Sequence, residues 1–255
     1  MRFEPLSDTK FEYLCEVYVA DKFANQEELI QDWKELSSKF PDSHLLLTLD
    51  DLGQAQYTSM HSSGSHDLDE TEGYDLSALD AACFEDGEHV GYLSTASEFF
   101  IRYANFLKHC RVTSLEQIFQ EKNLLLNDES LAELLLAQEN WLSIIDDTIY
   151  AFRAIVNQPE DSLAAFPNGY FDSDLNPFEN HALCKQLREN YGYKLIGIGA
   201  SYLALIREAA LNPVQMSSMA ELLLRLYGEK AVVWIKTVSE RNNELQHVLV
   251  LRYTE

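Results

Sequence analysis

The stretch LNPFENHALCKQLRENYGYK, Leu175 to Lys194, is answered thirty-six residues later by LNPVQMSSMAELLLRLYGEK, Leu211 to Lys230. Aligned without a gap, the two agree at seven of twenty positions, where unrelated stretches of average composition would agree at roughly one or two. Both spell a helix with marked ends. Asn176 and Asn212 stand where an N-cap should, each followed by a Pro whose missing N–H would be unpaired in the first turn anyway. Glu179 and Gln215, three residues on, can reach back to the cap's own N–H in a capping box. Gly192 and Gly228, each after a Tyr, can close the helix in the left-handed conformation that a Cβ disfavours.

After each Tyr-Gly come residues that favour strands. YKLIGIG and SYLALIRE, split around Ala200, follow the first helix; KAVVWIKTV and LQHVLVLRY, split around Asn242-Asn243, follow the second. The apolar stripe Leu183, Leu187, Tyr191 matches Met219, Leu223, Tyr227. The pattern predicts an α+β protein in which an N-terminal mixed α/β part, residues 1–157, precedes a duplicated α-β-β unit, residues 158–255. The duplicated unit would form a four-stranded, largely antiparallel sheet with two helices on one face. The segment NQPEDSLAAFPNGYFDSD, with its Pro, Gly and Asp, reads as the linker between the halves.

The N-terminal part reads as ordered. FEYLCEVYV alternates Phe11, Tyr13, Cys15, Val17 and Val19 against more polar neighbours, as a half-buried strand does. Asn25 with Glu28 opens a helix to about Lys39, and HLLLTLDD follows as a strand. SMHSSGSHDLDETEGYD, residues 59–75, is expected to be a long polar loop. EHVGYLS then reads as a strand, Thr95 with Glu98 and Thr113 with Glu116 open two helices, and a long amphipathic helix is expected from about Asp128 to Val156.

Charge is unevenly spread. Residues 1–155 hold 30 acidic and 10 basic side chains, net −20, and residues 156–255 hold 12 and 9, net −3, which together give the −23 of the chain. Between Lys39 and Arg102 there is no Lys or Arg at all. Asp67, Asp69, Glu70, Glu72, Asp75, Glu85, Asp86 and Glu88 fall inside that gap and are the candidate partner-binding residues. A surface of this kind repels nucleic acid and anionic lipid and attracts a cationic partner.

Motifs for chemistry fail on particular residues. DSDLNP places Asp172, Asp174 and Asn176 as a calcium loop would, but Pro177 and Leu183 stand where that loop needs Gly and a bidentate Glu. GIGAS, Gly197 to Ser201, hints at a phosphate loop, yet Tyr202 replaces the third glycine and a hairpin turn is the better reading. His61, His66, Asp67 and Asp69 could ligate a metal, although no i, i+4 pair orients the imidazoles. Asp146-Asp147 diverge by about 100° on a helix, and His181 and His247 read as surface or partly packed residues. The four cysteines lie far apart with no C-x-x-C, which suits a reducing compartment. No cofactor and no metal are expected.

MRFEPLSDTKFEY lacks an apolar core of the kind a secretory leader carries, and no apolar run nears the roughly 20 residues that span a bilayer; the expected location is the cytoplasm. In these respects the chain resembles, in kind, the immunity proteins of bacterial polymorphic toxin systems. The C-terminal NPFENHAL…YGYKLIGIGASYLALIRE also looks like a bacterial domain family of unassigned function. The resemblance implies a compact acidic cytoplasmic α+β protein without an active site, whose partner is a cationic protein, a toxin domain. Nucleases among such toxins need a basic cleft, which an acidic surface can steer towards and block. Two alternatives share the sequence: an enzyme using Asp, Glu or His in a groove between the halves, and a mimic of nucleic-acid charge acting on another factor.

Overall fold

The computed structural model describes residues 2–6, 13–21, 23–122, 124–242 and 247–255. Its strands are β1 (Glu4–Pro5), β2 (Glu16–Asp21), β3 (His44–Thr48), β4 (Phe84–Glu85), β5 (Glu88–His89), β6 (Thr148–Ala154), β7 (Lys194–Ile198), β8 (Tyr202–Arg207) and β9 (His247–Arg252). Its helices are α1 (Gln26–Ser38), α2 (Leu52–Ser65), α3 (Phe99–Cys110), α4 (Leu115–Glu121), α5 (Asp128–Glu139), α6 (Pro177–Tyr191), α7 (Pro213–Tyr227) and α8 (Val232–Glu240).

Seven strands form one mixed sheet in the order β1-β2-β6-β3-β7-β8-β9. Every neighbouring pair is antiparallel except β3 and β7, which run parallel with Leu47 opposite Gly197 and Thr48 opposite Ile198. Leu45, Leu46, Leu47 and Leu49 are all buried, as is each residue of β8 from Tyr202 to Arg207. A run buried at consecutive positions points both ways out of the pleat, so helices and loops must cover both faces of the sheet centre. The stretches 1–157 and 158–255 supply strands to the same sheet and side chains to one continuous core.

The duplication is overturned, and with it the four-stranded sheet. The two helices are capped as their sequences dictate: Asn176 accepts from the Phe178 and Glu179 amides and Asn212 from the Val214 and Gln215 amides, each within a full capping box. Beyond the helices the two segments diverge. Gly192 closes α6 at φ 72, ψ 12 and the chain enters β7. Gly228 takes φ 74, ψ −174, and a short 3-10 turn over Glu229–Ala231 leads into α8 instead of a strand. The β-branched letters of KAVVWIKTV mislead because their burial has the helical period: Ala231, Trp234, Ile235 and Val238 are inside, while Val232 and Val233 face solvent. The second unit therefore contributes one strand, β9, against the two of the first.

Four further expectations change. The long helix stops at Glu139; a 3-10 turn over Trp141–Ile144 intervenes, and Thr148–Ala154 is β6, which pairs with both β2 and β3. The linker reading fails because Pro159–Ala165 is a fully buried 3-10 segment that packs against β3, β7, α3 and α6. EHVGYLS gives only Glu88–His89, paired with Phe84–Glu85 across a turn in which Asp86 and Gly87 have φ 51 and 85. Positive φ at both central positions is what an Asp-Gly hairpin uses. The strand expected over residues 11–19 is β2, shifted to Glu16–Asp21, with Phe11 and Glu12 lying outside the described residues.

The polar loop expected at 59–75 is half helix. Asp51, at φ 41, accepts from the Gln54 amide and Asp146 accepts from the Leu52 amide at 2.8 Å, so two carboxylates cap α2. The helix buries Ala55, Thr58, Ser59, Ser62 and Ser63. Thr58 and Ser63 satisfy their hydroxyls on carbonyls one turn back, at Gln54 and Ser59.

Candidate partner-binding surface and a cleft at the sheet end

Beyond α2 the chain leaves the sheet, and its carboxylates turn outward. Asp67, Glu70, Glu72, Asp75, Glu85, Asp86 and Glu88 are exposed. Asp69 is the exception: Arg102 on α3 grips it with two bonds of 2.6 Å, so its charge is already matched. Glu70 accepts from the Glu72 amide at 3.0 Å, and its carbonyl accepts from the buried Asn105 of α3 at 2.8 Å. Asp75 accepts from the Ser77 amide, and that bond holds its carboxyl below the usual range. The segment is thus tied to α3 through backbone and Asn105, while most of its carboxylates stay free. Glu85, Asp86 and Glu88 sit together on the β4–β5 hairpin.

The imidazoles of His61 and His66 pack against rings. His61 packs edge-on against Tyr57, while His66 lies against Phe178 and its carbonyl is in hydrogen-bond contact with His109. Among the described residues no group of three or more His, Cys, Asp or Glu is placed to hold a metal ion. His181 and His247 are buried, contrary to expectation. His181 meets Asp161 at 2.9 Å, and His247 meets the Tyr193 hydroxyl at 2.9 Å, its pKa pushed down to about 3 by burial and by the Arg207 and Arg241 charges. His89 shares Glu98 with the Ser94 and Thr95 amides.

A second feature is invisible in the order of the letters. At the carboxyl ends of the parallel strands β3 and β7, where open sheets tend to place ligands, a cleft of about 370 Å³ is lined by Asp50, Asp51, Gln54, Thr58, Asn168, Phe171, Asp174, Ser201, Arg252 and Glu255. The backbones meet so closely there that a Cβ on Gly199 would collide with the Asp50 amide nitrogen and lie 2.8 Å from its carbonyl oxygen. Asn168, fully buried, ties the floor together by donating to the Ala55 and Gly199 carbonyls, with its Oδ1 against the Thr58 hydroxyl. Burial pushes the Asp50 carboxyl up to about 6 even though it accepts from the Ser201 and Tyr202 amides. Asp174 is likewise pushed up to about 6 by burial, against the pull of a Glu255 backbone bond and of Lys122. Arg252, in the same wall, donates to Glu133 and to the Glu255 carbonyl.

Asp67, Asp69, Glu70, Glu72, Asp75, Glu85, Asp86 and Glu88 were visible in the sequence as partner-binding candidates, whereas Asp174 and Ser201 stood out only as parts of a calcium-like and a phosphate-like motif that lack required residues. The cleft was missed because Asp50, Ser201, Arg252 and the pair Asn168 and Asp174 come from four separate segments. No family model, curated protein or solved structure matches this chain. Among the described residues no helix is long and apolar enough to cross a membrane.

Proposed function

We propose that this chain is an acidic binding protein that neutralises a cationic protein, in the manner of an immunity protein inhibiting a toxin whose own substrate is nucleic acid. One observation carries the reading: from Asp67 to Glu88 the carboxylates project outward, and only Asp69 has a cationic partner among the described residues. Carboxylates placed this way add to a field that draws a basic domain in and orients it, over a range of about 10 Å at 0.1 M salt. The same field repels nucleic acid and anionic lipid. The free thiols of Cys15, Cys83, Cys110 and Cys184 support action in a reducing cytoplasm.

The test pairs the protein with a basic domain encoded in the neighbouring reading frame. Stopped-flow association is measured at low and high salt, together with the domain's activity with and without the protein. The expected result is a complex that abolishes that activity and forms more slowly as salt rises. A basic domain that stays active and unbound in excess protein would refute the reading.

The cleft favours a second reading, an enzyme in which Asp50 and Asp174 exchange protons with a substrate. Carboxyls titrating near 6 are suited to general acid–base work at neutral pH. Any activity found should disappear in Asp50→Asn and Asp174→Asn, and one that survives both changes rules this reading out.

A further inference from the structure

Helix α2 is packed inside out. A surface helix turns its large apolar side chains to the core, yet α2 buries Ala55, Thr58, Ser59, Ser62 and Ser63 and leaves Tyr57 51% and Met60 63% exposed. Met60 follows Tyr57 at i+3 on α2, the same side of the helix, and Tyr57 stands beside other rings. Tyr57 contacts His61 at 4.3 Å between centroids, His61 contacts Tyr170 at 5.2 Å, and Tyr170 contacts Phe171 at 5.5 Å. Tyr170 and Phe171 are themselves 39% and 49% exposed. Their turn is fixed by Gly169 at φ 111, where a Cβ would lie 1.9 Å from the Leu175 carbonyl oxygen. Four rings and a thioether thus form one outward row, the composition that anchors protein interfaces.

Charge says what the row fits. At one end Phe171 enters the wall of the cleft, where Asp50, Asp51, Asp174 and Glu255 outnumber one cation, Arg252, whose charge Glu133 already pairs. At the other, α2 runs out into Asp67 and Glu70, both exposed. We propose that this row and the adjoining cleft are the docking site for an arginine-bearing segment of a protein partner, the guanidinium stacking on Tyr170 and Phe171 and reaching the cleft carboxylates. The proposal rests on the binding-protein reading above and names the contact surface for it. A guanidinium is planar, stacks on rings and forks onto carboxylates, whereas an ammonium stacks poorly and cannot fork. Bases could stack on the same rings, but the carboxylates at both ends would repel their phosphates.

The test uses the intact protein labelled with ¹⁵N and with ¹³C-methyl methionine, which makes Met60 a reporter on the row and the amides reporters elsewhere, and nona-arginine and nona-lysine as probes of equal charge. The proposal expects nona-arginine to shift the Met60 methyl saturably and at least tenfold more tightly than nona-lysine. The doubly substituted Tyr57→Ser, Phe171→Ser protein, checked for folding by circular dichroism, should lose at least tenfold in affinity. Binding that moves only amides of residues 67–88 and is indifferent to that double substitution overturns the docking site while leaving the acidic-surface reading standing. No binding of either peptide at low salt removes both. Self-association dissolved by Tyr57→Ser would assign the row to a second copy of the chain and overturn the proposal as well.

Discussion

Asp161 and Asp174 lie in one connecting segment and are equally hidden, each 6% exposed, yet the protein holds their protons in opposite ways. Burial pushes both carboxyls up. At Asp161, hydrogen bonds from His181 Nε2 at 2.9 Å, the Tyr103 hydroxyl at 2.7 Å and the Gln158 amide at 3.1 Å outweigh burial and leave the group below the usual carboxylate range. At Asp174 the donors are fewer. Lys122 stands close, but it donates to the Asp172 and Asp174 carbonyls and pairs with Glu179, and the carboxyl ends up near 6. A carboxylate ringed by donors belongs to the framework. One buried with too few of them in the wall of a cleft costs stability when ionised, and such groups tend to gather where a protein binds or reacts.

The framework side should break hardest. Glu160, the neighbour of Asp161, has its side chain 2% exposed and is held by three bonds of 2.8 to 3.0 Å from Arg188 of α6. Arg188→Ala leaves that charge buried without a partner, at a cost of about 3 kcal/mol, the low end for a stranded buried ion because Arg188 itself is partly exposed. Urea unfolding checks this. A loss below about 1 kcal/mol, the value of a surface pair, would mean that water replaces Arg188 and that Glu160 is not a framework group.

The next effect reads the comparison through pH. Asp161 and Glu98 are held below their ordinary pKa, Glu98 by the Ser94 and Thr95 amides and His89 against its burial. The stability they confer is present above a pH of about 4 and is lost as pH falls through their lower folded values. Asp50 and Asp174, raised to about 6, act with the opposite sign. Their contribution is full below a pH of about 4 and disappears as pH rises through 6. Asp174→Asn should therefore stabilise the protein by about 2 kcal/mol at pH 7.5 and by close to nothing at pH 4. Denaturation at the two pH values measures the gap, and an equal effect at both would show that Asp174 ionises normally.

How much of this could be read from the letters depends on how local each cause is. The caps of α6 and α7 were legible because Asn176 and Asn212 bond amides two and three residues away. The fate of the chain past Gly228 was not, since Val232 and Val233 favour strands while the core takes Trp234, Ile235 and Val238 at helical spacing. Helix α2 was hidden behind Gly and Ser: its burial depends on partners far along the chain, such as Asn168 against Thr58. The acidic gap was legible as composition, but Arg102 taking Asp69 out of it, across thirty-three residues, was not.

The smallest effect on stability, and the sharpest on recognition, is expected at the free acids. Asp67, Glu70 and Glu72 are exposed, and no cation pairs with them among the described residues. Reversing all three to Lys should change unfolding free energy by less than about 1 kcal/mol, because exposed charges act through a strongly screening solvent. Association with a basic partner should respond differently, since the on-rate depends on the summed field and not on any one contact. A tenfold or greater fall in on-rate at low salt, shrinking towards none at high salt, is the expected outcome, with the dissociation rate little changed. Arg102→Ala provides the opposite perturbation, removing a cation from the same face and freeing Asp69, and should speed association by a smaller factor. If the triple reversal leaves the low-salt on-rate where it was, these acids only keep the protein dispersed, and the division between framework and recognition carboxylates would then have to be drawn at the cleft alone.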